Sequence, residues 1–500
     1  MNIQEAKNQI KHALRAYFLK DEFGNYILPT NKQRPVFLLG APGIGKTAII
    51  EQIAQELGVG IVSYSMTHHT RQSALGLPFI TKKQFGDVEY DVSEFTMSEI
   101  ISTVYESQEK TGRTEGILFL DEINCVSETL MPAMLQFLQY KIFGRHQVPD
   151  GWIVVTAGNP SEYNRNARDF DIATWDRLRR VEVEPDFEAW RSYAISTSVH
   201  PSVISYLDIK RDHFYKIETT IEGKSFVTAR GWDDLSSTIT LYEKLNIAID
   251  ESLISQFIQN SDIAKHFSVY YDLFAKYRSG YEIDSILAGK ASSDIIMRAQ
   301  NAQFDERISL MSMLVDALSS DFKDTIYFED YISFIHKKLQ ALQGSEDVYS
   351  LVFDIYHGVG KSFESEKENS LLSKQFYFVY EHALAFFDKA LKSTETKALR
   401  FDDIKHMFND ELKSLEIKTQ NMSAELSNVF NFVEEAFGNN NEMLILIGDL
   451  AAQKQAMEFI NNYGSEQYFK YSEELMFEGR SENLMDRINR LNLSDLENEK

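Results

Sequence analysis

The sequence predicts an α/β domain, a parallel sheet flanked by helices, in its first 190 residues, followed by a largely helical remainder. Three observations carry that expectation. Short apolar runs alternate with helical patterns from residue 33 to about 190. A glycine-rich loop stands between one such run and one such helix, at Pro35 to Leu57. Beyond about residue 250 the chain is poor in Pro and Gly and rich in helical periodicity.

The loop segment is the most informative. Val36-Phe37-Leu38-Leu39 is a short apolar run of the kind that forms a strand covered on both faces. Gly40-Ala41-Pro42-Gly43-Ile44-Gly45-Lys46-Thr47 fits G-x-x-x-x-G-K-[ST] in full, and Ala48 continues into a helix that ends at Gly58. A triphosphate brings several negative charges, so backbone N–H groups must approach it without side chains in the way, which Gly43 and Gly45 allow. The helix N-terminus adds its positive dipole end. Lys46 reaches the β- and γ-phosphates, and the Thr47 hydroxyl takes a position on Mg²⁺. ATP and Mg²⁺ are therefore the expected ligands.

Composition narrows the rest. Five hundred residues, 43% of them hydrophobic, are ample for several cores. The net charge is −24. Residues 1–190 hold 19 basic and 25 acidic residues, which leaves −18 for 191–500 and argues against a general nucleic-acid grip. One cysteine, Cys125, excludes an internal disulfide and points to a cytoplasmic protein. No apolar run approaches the ~20 residues that span a bilayer, so no membrane partner is expected. The N-terminus, 1–32, opens with Ile3, Ala6, Ile10, Leu14, Tyr17 and Phe18 at helical spacing and reads as an amphipathic helix.

Along the chain, Ile61–Tyr64 is a second strand. The stretch from Ser65 to about Phe95 is polar, contains Gly and reads as a long functional insertion made of loop. Its adjacent His68 and His69 have no third ligand near them and read as solvated. Ile117-Leu118-Phe119-Leu120-Asp121-Glu122 is an apolar strand ending in two acids, the pattern of a Walker B segment. Asp121 would hold Mg²⁺ through water, and Glu122 would polarise the attacking water. Cys125 reads as a structural thiol. Ser127 reads as the cap of a helix bearing Leu130, Met134, Leu135 and Leu138, and a hairpin is expected at Tyr140–Trp152. The strand from Trp152 to Ala157 leads to Gly158-Asn159-Pro160, where the Asn159 amide can bond both the γ-phosphate and the water.

With these motifs in place, residues 33–250 resemble the AAA+ ATPases, and within them the MoxR type. The resemblance rests on GAPGIGKT, SALGLPFI, LFLDEIN, FGRHQVPDGWIVVTAGNP and DFDIATWDRLRRVEVEPD in that order. It implies a P-loop NTPase core at 33–186 and a helical lid at 187–250. Asn159 is similar to the sensor-1 amide. Arg177 falls where the family has an arginine that serves the neighbouring subunit's ATP, with Leu178 in place of the family's Phe and with Arg179 and Arg180 beside it. Arg230 resembles the sensor-2 arginine. The insertion resembles a client-contacting insert. The resemblance further implies a homo-oligomeric ring, a hexamer, that remodels or matures a partner protein carrying a von Willebrand A domain. Two other readings stand beside it: a nucleic-acid-dependent or restriction-type motor, and a nucleotide-gated scaffold with slow turnover.

Residues 251–500 carry no such resemblance and read as all α, of unassigned role. Phe376, Tyr377, Phe378, Tyr380, Phe386 and Phe387 are expected in a core. Gly358–Ser362 looks like half a phosphate loop but has no first glycine and no strand before it, and Asp234–Thr238 imitates a metal loop without its strand. Glu364–Asn369 and Gly438–Asn441 read as loops, and Asp495–Lys500 as a frayed tail.

Overall fold

The computed structural model of the chain describes residues 1–68, 74, 76–164, 166–220, 223–342, 347–368, 373–392 and 399–473. His69 and the tail at Asp495–Lys500 lie outside them. The chain forms two compact units: Met1–Trp190 with Thr228–Arg230 and Gly360–Tyr377, and the remainder.

The first unit opens with α1 (Ile3–Tyr17), started by a capping box in which Asn2 and Glu5 satisfy each other's backbone N–H groups. Ala6, Ile10, Ala13, Leu14 and Tyr17 form its buried stripe. Next come β1 (Val36–Gly40), α2 (Lys46–Leu57) and β2 (Gly60–Ser65). Lys7 of α1 pairs with Glu56 of α2 at 2.8 Å. Gly58, at φ +66°, closes α2 as the sequence suggests. The unit continues with β3 (Pro78–Phe85), β4 (Val88–Phe95), α3 (Glu99–Thr111), β5 (Gly116–Asp121), α4 (Met131–Tyr140), β6 (Ile142–Phe143), β7 (His146–Gln147), β8 (Trp152–Gly158) and β9 (Arg179–Val183).

Five of these strands form one sheet in the order β2-β5-β8-β1-β9, all parallel. This arrangement fits the P-loop core expected from the sequence. Its central strands are buried throughout, because helices cover both faces of a parallel sheet. At the entering edge Trp152, fully buried, lies so close to Gly116 that a Cβ there would fall 2.7 Å from the indole. Lys141, 2% exposed, donates to Gln33 Oε1 at 3.0 Å and to the Trp152 carbonyl at 2.9 Å. Burial pushes its ammonium down to about 8. At the leaving edge the register sets Leu39 of β1 opposite Gly158 of β8, and Ser65 of β2 opposite Asp121 of β5. Gly40, Asp121, Gly158 and Ser65 thus end at one rim.

The structure differs from expectation in the insertion. Residues 78–95 form an antiparallel hairpin, β3 against β4, turned by Gly86-Asp87 with Gly86 at φ +66°. The signal was present as alternation: Phe79, Thr81, Lys83 and Phe85 share a face with Val88, Tyr90, Val92 and Glu94. Ser127 is likewise not a cap. Its carbonyl accepts from the Leu130 and Met131 N–H groups in a preceding turn, and α4 starts after Leu130. The hairpin expected at Tyr140–Trp152 is present as β6 and β7.

The second unit contains a hairpin of its own, β10 (Lys216–Thr220) with β11 (Gly223–Val227), which interrupts the helices expected there. Its spine is two long helices in contact, Phe304–Leu339 and Phe401–Phe437. One core gathers Tyr331, Ile335, Val352, Phe386 and Phe387. Of the expected aromatic stripe, Phe386 and Phe387 are in that core, while Phe376 and Tyr377 are exposed. Arg191 is held between Asp208 and Asp449, at 2.6 and 2.5 Å. Gly358–Ser362 and Glu364–Glu368 lie inside the helix Val348–Glu368, so the first is no phosphate loop and the second is not a loop. Among the described residues no helix is long and apolar enough to cross a membrane.

Candidate nucleotide site

The loop between β1 and α2 wraps a lysine. Lys46 starts α2, is 8% exposed, and turns its ammonium back on the loop to donate to the carbonyls of Gly40 and Ala41 at 2.9 and 2.8 Å. Its third proton goes to Asn159 Oδ1 at 2.8 Å. Burial pushes the ammonium down to about 8; Asp121 and Glu122 oppose the shift and Arg230 adds to it. The charge is therefore held in a site that pays desolvation to keep it, next to two carboxylates that favour it.

The glycines of the loop leave different kinds of room. Gly45, at φ +93°, has open space where a Cβ would stand, so that side of the loop is clear for phosphate oxygens. Gly43, at φ +72°, is instead packed from the side: a Cβ there would fall 2.8 Å from Thr228. Gly40 lets β1 approach β9, its missing Cβ being 2.5 Å from the Val183 carbonyl. Ala41 and Ile44 are buried, Pro42 half-buried, and Ala48 exposed in the first turn of α2.

The Thr47 hydroxyl donates to Asp121 Oδ2 at 3.0 Å, which brings together two oxygen ligands from α2 and β5. Hydroxyl and carboxylate are hard donors of the kind Mg²⁺ takes, so this pair fits the ion. Asp121 Oδ1 accepts from the Glu122 N–H at 2.9 Å. Glu122 itself stands at φ 56°, a left-handed backbone uncommon outside glycine, and this turns it out of the line of β5. Ser65 at the end of β2 donates to Glu122 Oε2 at 3.3 Å.

Arg230, which belongs to the same unit, donates its backbone N–H to the Gly43 carbonyl at 3.0 Å. It starts the helix Ala229–Leu245 as expected, with an exposed side chain. Arg177 is not drawn into the cluster. It is exposed and donates to Gln139 Oε1 at 3.0 Å and to the Ala173 carbonyl at 2.8 Å. Arg179 donates to Gln9 at 3.3 Å, and Arg180 pairs with Glu182 and lies 4.5 Å over the Trp175 ring. Cys125 is half-buried, accepts from Asn164 at 3.2 Å, and has its thiol pushed up by burial and by Glu122 and Asp121, which suits structure and not nucleophilic attack.

Sequence reasoning missed Ser65, Asn124 and Thr228. Ser65 could be found only through the β2–β5 register, and Thr228 only through tertiary folding. Asn124 sat within the Walker B stretch but had no assigned task.

A Walker-type loop on a central parallel strand, with an acid pair and an asparagine at the neighbouring strand tips, defines a nucleotide-binding P-loop unit. Residues 36–172 match the family model described as ATPase family associated with various cellular activities (AAA). The match supports an ATPase of the AAA+ type, and Arg177 and Arg230 lie beyond it. No curated protein matches the chain.

Proposed function

We propose that the chain hydrolyses ATP by in-line attack of water on the γ-phosphate. The observation that carries this is the meeting of Lys46 with Asn159 and of Thr47 with Asp121, four residues from three separate elements. Thr47 and Asp121 would hold Mg²⁺, which neutralises phosphate charge when bound. The Lys46 ammonium exchanges its loop carbonyls for phosphate oxygens, so its charge is preorganised at the site. Glu122 accepts hydrogen bonds from the attacking water and raises its nucleophilicity, while the Asn159 amide orients it. Gly40 to Ala48 and Arg230 bind the nucleotide, and Arg177 serves the neighbouring subunit.

On this reading the chain is a MoxR-type ring, a hexamer, that remodels a partner protein with a von Willebrand A domain. The β3–β4 hairpin suits client contact, because Phe79, Ile80, Phe85, Val88 and Tyr90 are exposed on it and Leu77 just before it. The test is Mg²⁺-dependent ATPase rate with and without DNA or RNA. Turnover without nucleic acid supports the reading; strict dependence on it replaces the remodeller with a nucleic-acid motor.

A further inference from the structure

Asn124 sits two residues beyond Glu122, in the short helical turn Ile123–Cys125, and is 3% exposed. Its amide Nδ2 donates to the carbonyl of Asn159 at 2.7 Å. Its Oδ1 is buried without a hydrogen-bond partner and lies against β8, 2.3 Å from where a Cβ on Gly158 would stand. Only glycine at 158 leaves room for this amide. A buried amide oxygen with no partner is costly, so the residue is not explained by favourable packing alone.

The donor end explains it. Asn159 is grasped from two directions, its side-chain Oδ1 by Lys46 at 2.8 Å and its backbone carbonyl by Asn124 at 2.7 Å. The same loop is tied further along, since the Arg168 N–H donates to the Asn124 carbonyl at 3.0 Å and Asn164 donates to Cys125 Sγ. The segment after Asn159 is thereby fastened to the turn after Glu122 at three points. A tip residue that follows the end of β8 has freedom in its backbone that its side chain would amplify. One buried hydrogen bond to its carbonyl removes much of it.

We propose that Asn124 is a positioning residue for hydrolysis, which rests on the nucleotide reading above: it fixes the peptide of Asn159 relative to Glu122, so that amide and carboxylate address one water together. Asn124 touches neither phosphate nor water on this account and acts only through Asn159.

That restriction gives the test. ATP turnover and ATP affinity by calorimetry are measured for the full chain and for Asn124→Leu, which keeps similar volume without a donor, in the wild-type and Asn159→Ala backgrounds. Asn124→Leu is expected to lower kcat about 10- to 100-fold, the scale of lost support behind a reacting group, and to change ATP affinity less than about threefold. In the Asn159→Ala background it is expected to add nothing. Wild-type kcat in Asn124→Leu, or losses that multiply with those of Asn159→Ala, overturns the proposal. If Asn124→Leu fails to fold by circular dichroism, Asn124→Ser withdraws the long amide at lower steric risk and is judged by the same cycle. A wild-type chain without ATPase overturns the nucleotide reading and this inference with it, whereas Asn159→Ala at full rate, or loss in Asn159→Ala without loss in Asn124→Leu, overturns only the role of Asn124.

Discussion

The ammonium of Lys46 and the amide oxygen of Asn159, 113 residues apart in the chain, are 2.8 Å apart in the fold. Strand order makes this possible, because β8 lies directly beside β1 and its tip faces the start of α2. Removing the lysine takes away the charge that the loop is built around. Lys46→Ala is expected to abolish ATP binding in calorimetry, and Glu122→Gln to keep it while losing about 10²-fold or more of turnover. Equal loss of binding in both would refute the Walker B role of Glu122.

The depressed Lys46 pKa has a sign that can be measured. Phosphate prefers the charged ammonium, and burial holds the free group down to about 8. Below that value the site is already protonated; above it, binding must take up a proton. ATP affinity is therefore expected to fall as pH rises through about 8, by up to about tenfold per unit. Titration calorimetry in buffers of different ionisation enthalpy at pH 9 should show uptake approaching one proton. Flat affinity from pH 7 to 9.5 would contradict this.

A second titration lies in the other unit. Burial and the neighbouring Asp321 push the Glu425 carboxyl up to about 7. A carboxyl raised in the folded state binds a proton that the unfolded chain has lost, so its contribution to stability falls as pH rises from about 4.5 to 7. Glu425→Gln is expected to raise the thermal midpoint at pH 8 by a small amount, since solvent screens the pair, and to matter less at pH 5. A larger gain at pH 5 than at pH 8 would reverse the sign.

The insertion hairpin offers a contrast, because its apolar residues stand in solvent. Leu77 and Phe79 are 56% and 43% exposed, so core packing is not what they supply. Leu77→Ser with Phe79→Ser is expected to change unfolding free energy by less than about 1 kcal/mol and to leave ATPase unchanged, while client processing falls. Denaturant unfolding and steady-state turnover check the first two.

These cases also show what the chain discloses by itself. The loop between β1 and α2 is legible because eight residues stand in fixed order with a strand before them and a helix after. Asp121 and Glu122 were legible because an apolar strand ending in acids has few other uses next to such a loop. The β3–β4 hairpin is legible only in its alternation and its Gly86-Asp87 turn, local signals that the length and polarity of the insertion outweigh. Ser65, Asn124 and Thr228 are brought to the loop rim by strand register and chain crossing, which a linear pattern does not encode. Gly43 is one example: its place in the motif is read from the sequence, whereas the Thr228 side chain packed where its Cβ would stand is found only in the fold.

Arg177 carries the sharpest test. Of the three neighbouring arginines, Arg180 is committed to Glu182 and Trp175, and Arg179 faces Gln9 of α1. Arg177 is exposed and bonded to Gln139 and Ala173, neither of which belongs to the loop around Lys46. An arginine that completes a neighbour's site should leave its own subunit able to bind ATP. Arg177→Ala is thus expected to bind ATP normally yet to lose on the order of 10³-fold in turnover as a homogeneous assembly. Lys46→Ala is inactive for the opposite reason. When the two variants are mixed and allowed to exchange subunits, some interfaces pair an intact Lys46 with an intact Arg177 from the next subunit, and activity should return. A single-subunit mechanism gives no such recovery. If exchange is verified and turnover stays absent, Arg177 works within its own chain, and the same mixing experiment passes to Arg179.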